Sequence, residues 1–387
     1  MIQAGNIRVL GAGITAHATA LLLSQQGWRV HLSGAPQRQH DASVRDIRAY
    51  AINHRSRATL SACGVWPAHD QAPWITPVRQ MRVFGDTTGQ LFLDPPSINP
   101  PQLTEPHDPV AWMVEVPALE DALLEACQSS DGIATDGVDS TRSTITPDLT
   151  VVCEGQTSTH EGFERHKITY PHRAIAARVR SSLPHAGVAQ QWFDGERILA
   201  LLPIGGATGS DLAVVWSVPT AEQQHWLANT SETGTVPLAA ELTAQSRNTL
   251  GTLRMTAGPV GFPLSVGQVN RWFEGQTVLV GDAAHTIHPL AGQGLNLGLA
   301  DVQTLADCLA TRQRWEAASA PRLMRRYERQ RRADTQALQW ATHGLFHLFT
   351  NDLTRQTPMA WLRNTGLSAF NALPSLKRWA QRQATGN

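Results

Sequence analysis

Apolar and polar positions alternate along the chain in a way that predicts an α/β protein from its first residues. Ile7-Arg8-Val9-Leu10 reads as a short strand, and residues 14–26, rich in Ala and Leu and closed by Gly27, read as a helix. Residues 28–32 then return as a second strand, so a βαβ unit and a parallel sheet are expected at the N-terminus. Residues 44–63 read as a helix stopped by Gly64. The proline-rich stretch 67–109 holds strand-like pieces at 79–84 and 90–93, and residues 117–128 carry Leu119, Leu123 and Leu124 at helical spacing. Residues 149–153 have the unbroken apolar run of a buried strand.

From residue 170 to about 269 the pattern turns to β-type pieces at 174–179, 198–202 and 212–218, interrupted by a helical stretch at 231–250. A further buried strand, 277–280, ends in Gly281-Asp282, and helices are expected over 294–310 and 321–349. This order predicts an α/β fold: a discontinuous Rossmann-like nucleotide-binding domain with a β-rich domain inserted and a helical C-terminus. The expected boundaries are 1–75, 102–169 and 270–320 for the first, 76–101 and 170–269 for the second, and 321–387 for the last.

Composition changes the picture in three places. Hydrophobic residues make up 42% of the 387 positions and charged residues 17%, a globular balance that sets disorder aside. Net charge is zero, which argues against a nucleic-acid binder, but from Arg312 to the end there are 13 basic and four acidic residues. That end carries Arg325, Arg326, Arg329, Arg331, Arg332, Lys377, Arg378 and Arg382 and reads either as a solvated helix face that offsets the acidic remainder or as a surface for anionic lipid or an acidic partner. Cys63, Cys127, Cys153 and Cys308 form no CxxC pair, so buried thiols in a reducing compartment are expected rather than a disulfide framework or a zinc site. With no apolar run of about 18 residues and no leader pattern, the expected location is the cytoplasm, and the basic end leaves a peripheral contact with the inner face of the membrane open.

Two constellations carry chemistry. Gly11-x-Gly13-x-x-Ala16 lies at a strand-to-helix junction, where the first glycine permits a tight turn and the second lets backbone approach a pyrophosphate. The third position keeps helix and strand close, and the helix N-terminus offers N–H groups to the phosphates. Where an acidic residue would bind the ribose hydroxyls, this chain has Ser33, a neutral and weaker partner. The second runs from Gly281-Asp282 through His285, His288, Pro289, Gly292, Gln293, Gly294, Leu295 and Asn296 to Gly298. A buried strand delivers a carboxylate at its C-terminal end, and the glycines strip side chains from a helix start where a planar group can rest. His285 and His288 lack a third ligand for a metal site, His17 reads as a packing residue, and no metal is expected.

The Gly281-Asp282 run resembles the second flavin fingerprint of class A FAD-dependent monooxygenases, and the chain more closely resembles the ubiquinone-biosynthesis hydroxylases among them. Asp46-x-Arg48-x-x-Ala51-Ile52, Leu202-Pro203-Ile204, Phe262-Pro263-Leu264 and Tyr327-Glu328-Arg329-x-Arg331-Arg332-x-Asp334 extend the resemblance over nearly the whole length. It implies that Gly11, Gly13 and Ala16 bound the FAD pyrophosphate, with Ser33 near the ribose and Arg48 along the phosphates or ribityl chain. Asp282, after Gly281, would accept hydrogen bonds from the ribityl chain; Pro289 and residues 292–296 would edge the isoalloxazine. His288 and Pro289 would line the active site, and Glu154-Gly155 would stand for an Asp-Gly motif. NAD(P)H would serve as transient reductant. O2 would add to the reduced flavin as a C4a-hydroperoxide, which would hydroxylate the aromatic ring of a polyprenylated ubiquinone precursor with no protein nucleophile. Other quinone-biosynthesis proteins are expected partners. A hydroxylase of another small aromatic, or a non-catalytic scaffold with weakened FAD binding through Ser33 and Glu154, stays open. The tryptophans at 192, 216, 226, 272, 340, 361 and 379 read either as core or as an apolar path for a prenylated ring.

Overall fold

A computed structural model describes residues 5–34, 46–70, 72–85, 90–93, 109–135, 146–155, 160–206, 208–228, 235–287 and 293–350. The chain opens with β1 (Asn6–Leu10), which buries Ile7 and Val9, followed by α1 (Ile14–Gln25) and β2 (Arg29–Ser33). β1 and β2 pair in parallel, as the βαβ pattern predicts, with Leu10 opposite Ser33.

The stretch expected to form one helix over 44–63 is instead divided. Ala49–Ile52 is a strand, β3, and the helix α2 occupies only His54–Ala62. Asn53 marks the division, because its side chain accepts the Ser56 N–H at 2.8 Å as an N-cap. Three strands follow, β4 (Ile75–Val78), β5 (Gln80–Phe84) and β6 (Gln90–Leu93), and then β7 (Ala111–Glu115). β7 lies antiparallel between β3 and β4 in a three-stranded sheet, so the partner that makes 49–52 a strand is remote in sequence. Helix α3 (Val116–Gln128) buries Val116, Leu119, Leu123 and Cys127 at helical spacing, and β8 (Ile133–Thr135) and β9 (Leu149–Val152) complete this part.

A β-rich run comes next: β10 (Arg165–Ser181), β11 (Val188–Asp194), β12 (Arg197–Ile204) and β13 (Asp211–Pro219). Helix α5 (Thr235–Gln245) falls inside the helical stretch expected over 231–250, and α4 (Thr220–Ala228) precedes it where no helix was expected. β14 (Leu253–Val269) is a 17-residue strand that Gly258, Pro259, Gly261 and Pro263 hide from pattern reading. Short strands β15 (Phe273–Glu274), β16 (Thr277–Leu279) and β17 (His285–Thr286) precede the long helices α6 (Gly294–Ala310) and α7 (Pro321–Thr350).

Six strands form one sheet in the order β15-β16-β9-β1-β2-β8, and eight form another in the order β17-β14-β10-β13-β12-β11-β5-β6. In the first, β16, β9, β1, β2 and β8 run parallel, and α1, α3 and α6 supply side chains to a core around Val9, Val151 and Val278. The second sheet has its own core, in which Trp192 and Trp216 are fully buried beside Leu238 and Leu242 of α5. Trp272 is fully buried in the first core, so these three tryptophans are packing residues; the side chains of Trp340, Trp361 and Trp379 lie outside the described residues. Val78, Met113, Ile204 and Ala213 seal the three-stranded sheet against the eight-stranded one. Among the described residues no helix is long and apolar enough to cross a membrane.

Candidate functional site

The C-terminal ends of β1 and β16 meet the first turns of α1 and α6, where a parallel sheet presents ligand sites. Gly11 has φ +138°, and a Cβ there would stand 2.8 Å from the Cys153 carbonyl oxygen, so this turn accepts only glycine. Its N–H donates to the Ser33 carbonyl at 2.7 Å, which is how the predicted ribose residue takes part in the turn. Gly13 is the N-cap of α1 in ordinary extended geometry and has no side-chain cap. Ala16 is fully buried, and its Cβ would lie 3.2 Å from a Cβ on Gly11, so its small size is used in packing. His17 is buried with Nδ1 3.0 Å from the Gly13 carbonyl, a contact that places the proton on Nδ1; burial lowers its pKa.

Gly281 also needs its lack of a side chain, with φ +65° and Thr15 of α1 at 3.2 Å from where its Cβ would be. Thr15 likewise lies 3.1 Å from the Cβ position of Gly298, so both ends of the second constellation converge on one threonine of the first. Asp282 is exposed in the turn Gly281–Ala283. Helix α6 begins at Gly294 behind Gln293, an N-cap without a side-chain cap, and Leu295 packs against the first core. Asn296 is buried; its side chain donates to the Ala51 carbonyl at 2.7 Å and accepts the Asn53 N–H at 3.0 Å. It therefore clamps the strand-to-helix junction of β3 and α2 rather than pointing outward. His288, Pro289 and Gly292 lie outside the described residues.

These residues fit a dinucleotide. A Cβ at Gly13 or at Gly294 would meet no described protein atom within 4 Å, and both helix N-termini lack side-chain caps where ligand oxygens would accept N–H groups.

Arg48 stands between two carboxylates, with bidentate bonds to Asp46 (2.6–3.0 Å) and contacts to Glu120 at 2.9 and 3.2 Å. Burial opposes its charge, yet the bonds to Asp46 and Glu120 outweigh it and raise its pKa. Tyr50 sits in the field of Arg48, Asp282, Glu120 and Asp46, and burial raises its pKa. Glu154 is exposed and pairs with His160 at 3.2 Å, beside Gly155 at φ +86°.

Several residues near the site carry no motif signal. Arg165 of β10 donates to the carbonyls of Asp282 (3.2 Å) and Ala283 (2.5 Å), tying the eight-stranded sheet to the turn. Arg178, also on β10 and 2% exposed, donates to the Arg48 carbonyl at 3.2 Å and approaches Glu115. Asp301 and Arg331 lie buried under the turn, and His285 is buried with them. A signal for this pair exists: Leu297, Asp301 and Leu305 share one stripe of α6, and Met324, Tyr327 and Arg331 share one of α7, so each apolar stripe holds a charge. Arg331 is thus no part of the basic surface, and Arg332 turns inward to the carbonyls of Val269 and Asn270.

A family described as FAD binding domain matches residues 115–341, more than half of the chain. Ubiquinone hydroxylase UbiL of Rhodospirillum rubrum is 29% identical over 99% of this chain and 90% of its own length. The 3-demethoxyubiquinol 3-hydroxylase of Escherichia coli is 29% identical over 99% of both. Among solved structures, p-nitrophenol 4-monooxygenase PnpA of Pseudomonas putida superposes with a TM-score of 0.71 at 15% identity, covering 100% of this chain and 98% of its own. PqsL of Pseudomonas aeruginosa, described as a probable FAD-dependent monooxygenase, gives 0.67 at 18% identity over 94% and 99%. At such identities the structural likeness is one of fold.

Proposed function

Because this chain belongs to the FAD-binding-domain family of FAD-dependent aromatic monooxygenases, we propose that it hydroxylates the ring of a polyprenylated ubiquinone precursor. The observation that carries the reading is the span of the similarity, which runs through all three sheets and almost end to end in a ubiquinone hydroxylase and a demethoxyubiquinol hydroxylase. When bound, FAD supplies the redox chemistry, taking a hydride from NAD(P)H and activating O2. The protein supplies binding, orientation and exclusion of water.

In this reading the N–H groups at the start of α1, with Gly11, Gly13 and Ala16, would hold the pyrophosphate, and Ser33 would serve the ribose. Asp282 would accept hydrogen bonds from the ribityl chain, and the start of α6, from Gly294 on, would lend the flavin its N–H groups and positive dipole end. Arg48, neutralised by Asp46 and Glu120, braces the wall of the cradle. Residues 1–75, 102–169 and 270–320 serve as the FAD-binding domain, with 76–101 and 170–269 covering the aromatic substrate and 321–387 as a helical end. Exposed Arg325 and Arg329 on α7 suit a peripheral contact with anionic lipid, where the prenylated substrate resides.

The test is the visible spectrum of the purified protein, followed by turnover. Flavin absorbance, NAD(P)H oxidation and hydroxylation of a ubiquinone precursor in extracts are the expected results. A colourless protein that takes up no added FAD would sink the proposal.

A further inference from the structure

Beneath the Gly281-Asp282 turn lies a buried charge cluster that the cofactor roles above leave unused. Asp301 is 0% exposed, and its carboxylate is engaged on both oxygens. Oδ1 accepts from Arg331 Nε at 2.7 Å; Oδ2 accepts the Gly281 N–H at 2.9 Å and lies 2.6 Å from His285 Nε2. Arg331 is 1% exposed and also bonds Asp334 at 2.6 Å, while Trp272 stacks on the His285 ring at 5.0 Å.

A buried ion cluster is costly to desolvate, and apolar residues of similar size would hold two helices together as well or better. They could not, however, grip a backbone N–H. The carboxylate does so, and its bonds to Arg331 and His285 fix its plane and therefore the direction from which Gly281 must approach. From the opposite side, Arg165 holds the carbonyls of Asp282 and Ala283. The turn is thus held at its N–H and at two carbonyls, with the Asp282 side chain left exposed at its tip.

We infer that Asp301, held by His285 and Arg331, is a positioning residue that aims the Asp282 carboxylate at the FAD, with Arg165 as the counter-clamp from the eight-stranded sheet. The inference rests on the assignment of Asp282 to the cofactor.

The experiment is a double-substitution cycle on FAD affinity in the full chain, read by quenching of flavin fluorescence, with the visible circular dichroism of the bound flavin as a second readout. Asp282→Asn and Asp301→Asn should each raise Kd roughly 10- to 100-fold, the size seen when the support of a ligand-holding group is removed. The double variant should match Asp282→Asn within about twofold, because Asp301 acts through Asp282. Losses that multiply, or wild-type affinity in Asp301→Asn, overturn this inference alone. Wild-type affinity in Asp282→Asn overturns it together with the cofactor assignment. Should Asp301→Asn fail to fold, His285→Gln, which keeps a donor on Asp301, should retain affinity and flavin dichroism, whereas His285→Leu should lose both. A His285→Leu protein with wild-type affinity and dichroism also overturns the inference.

Discussion

Two glycines separated by one residue should respond oppositely to the same added methyl group. At Gly11, φ of +138° is a region that alanine enters only with strain, about 1–3 kcal/mol. The Cβ would also stand 2.8 Å and 2.9 Å from the carbonyl oxygen and carbon of Cys153, backbone at the end of β9 that cannot swing aside. Overpacking of that kind adds about 1–3 kcal/mol, so Gly11→Ala should cost the apoprotein about 2–6 kcal/mol. At Gly13, φ −97° and ψ 179° suit any residue, and no described atom lies within 4 Å of the new methyl. Only the N-cap preference is lost, about 0.5–1 kcal/mol. The methyl would instead stand where a pyrophosphate approaches the start of α1. Losing one charge-assisted hydrogen bond there costs about 1.5–3 kcal/mol, which is a rise in the Kd for FAD of roughly 10- to 150-fold. Urea unfolding of the apoproteins and FAD titration of each variant separate the two effects. A Gly13→Ala protein with wild-type FAD affinity, or a Gly11→Ala apoprotein with a wild-type urea midpoint, would refute the reasoning.

Asn296→Ala removes both clamps on the β3–α2 junction and leaves a buried carbonyl and N–H without them; the expected loss is about 2–4 kcal/mol, seen as a lower urea midpoint at unchanged slope. Burial pushes the thiols of Cys63, Cys127 and Cys153 up to about 12 and raises that of Cys308, so the native protein at pH 8 should react slowly with a disulfide reagent. All four should react promptly on unfolding; prompt reaction of the native protein counts against the packing described. His185 is buried between the Ile204 carbonyl and the Gly187 N–H, and burial holds its pKa below the ordinary 6.5. Its neutral form is the folded one, so this contribution is complete above pH 6.5 and is lost as pH falls from there through the depressed folded value. Replacing His185 with Gln should flatten the decline in stability on acidification from pH 7, measured by urea midpoints across that range.

The elements legible in the sequence are those whose pattern is local. Helix α6 begins and ends at the residues its pattern predicts, and α3 starts one residue early, because apolar spacing decides both. Residues 49–52 were opaque because their strand partner, β7, is some 60 residues away, and only Asn53 signals the break. The glycine positions of the cradle could be read because turn geometry writes itself into residue type. Arg165 and Asp301 could not be read as parts of the turn, since each meets it across a long sequence separation. Asn296 shows a mixed case. Its motif was visible, but the side-chain partners, Ala51 and Asn53, depend on a junction misread as helix.

The convergence of Gly281 and Gly298 on Thr15 of α1 has a consequence for how the protein is made. The first βαβ unit emerges early from the ribosome, but its neighbours β9 and β16 arrive only after long intervening stretches, the second after the whole eight-stranded sheet save β17. Contacts at such separation form late. Cofactor capture must therefore wait until α6 is synthesised; the open edge of β1 needs protection until β9 arrives, and that of β9 until β16 does. A nascent chain stalled before residue 281 would hold half a cradle, and flavin supply would stabilise this protein only in the last quarter of its synthesis.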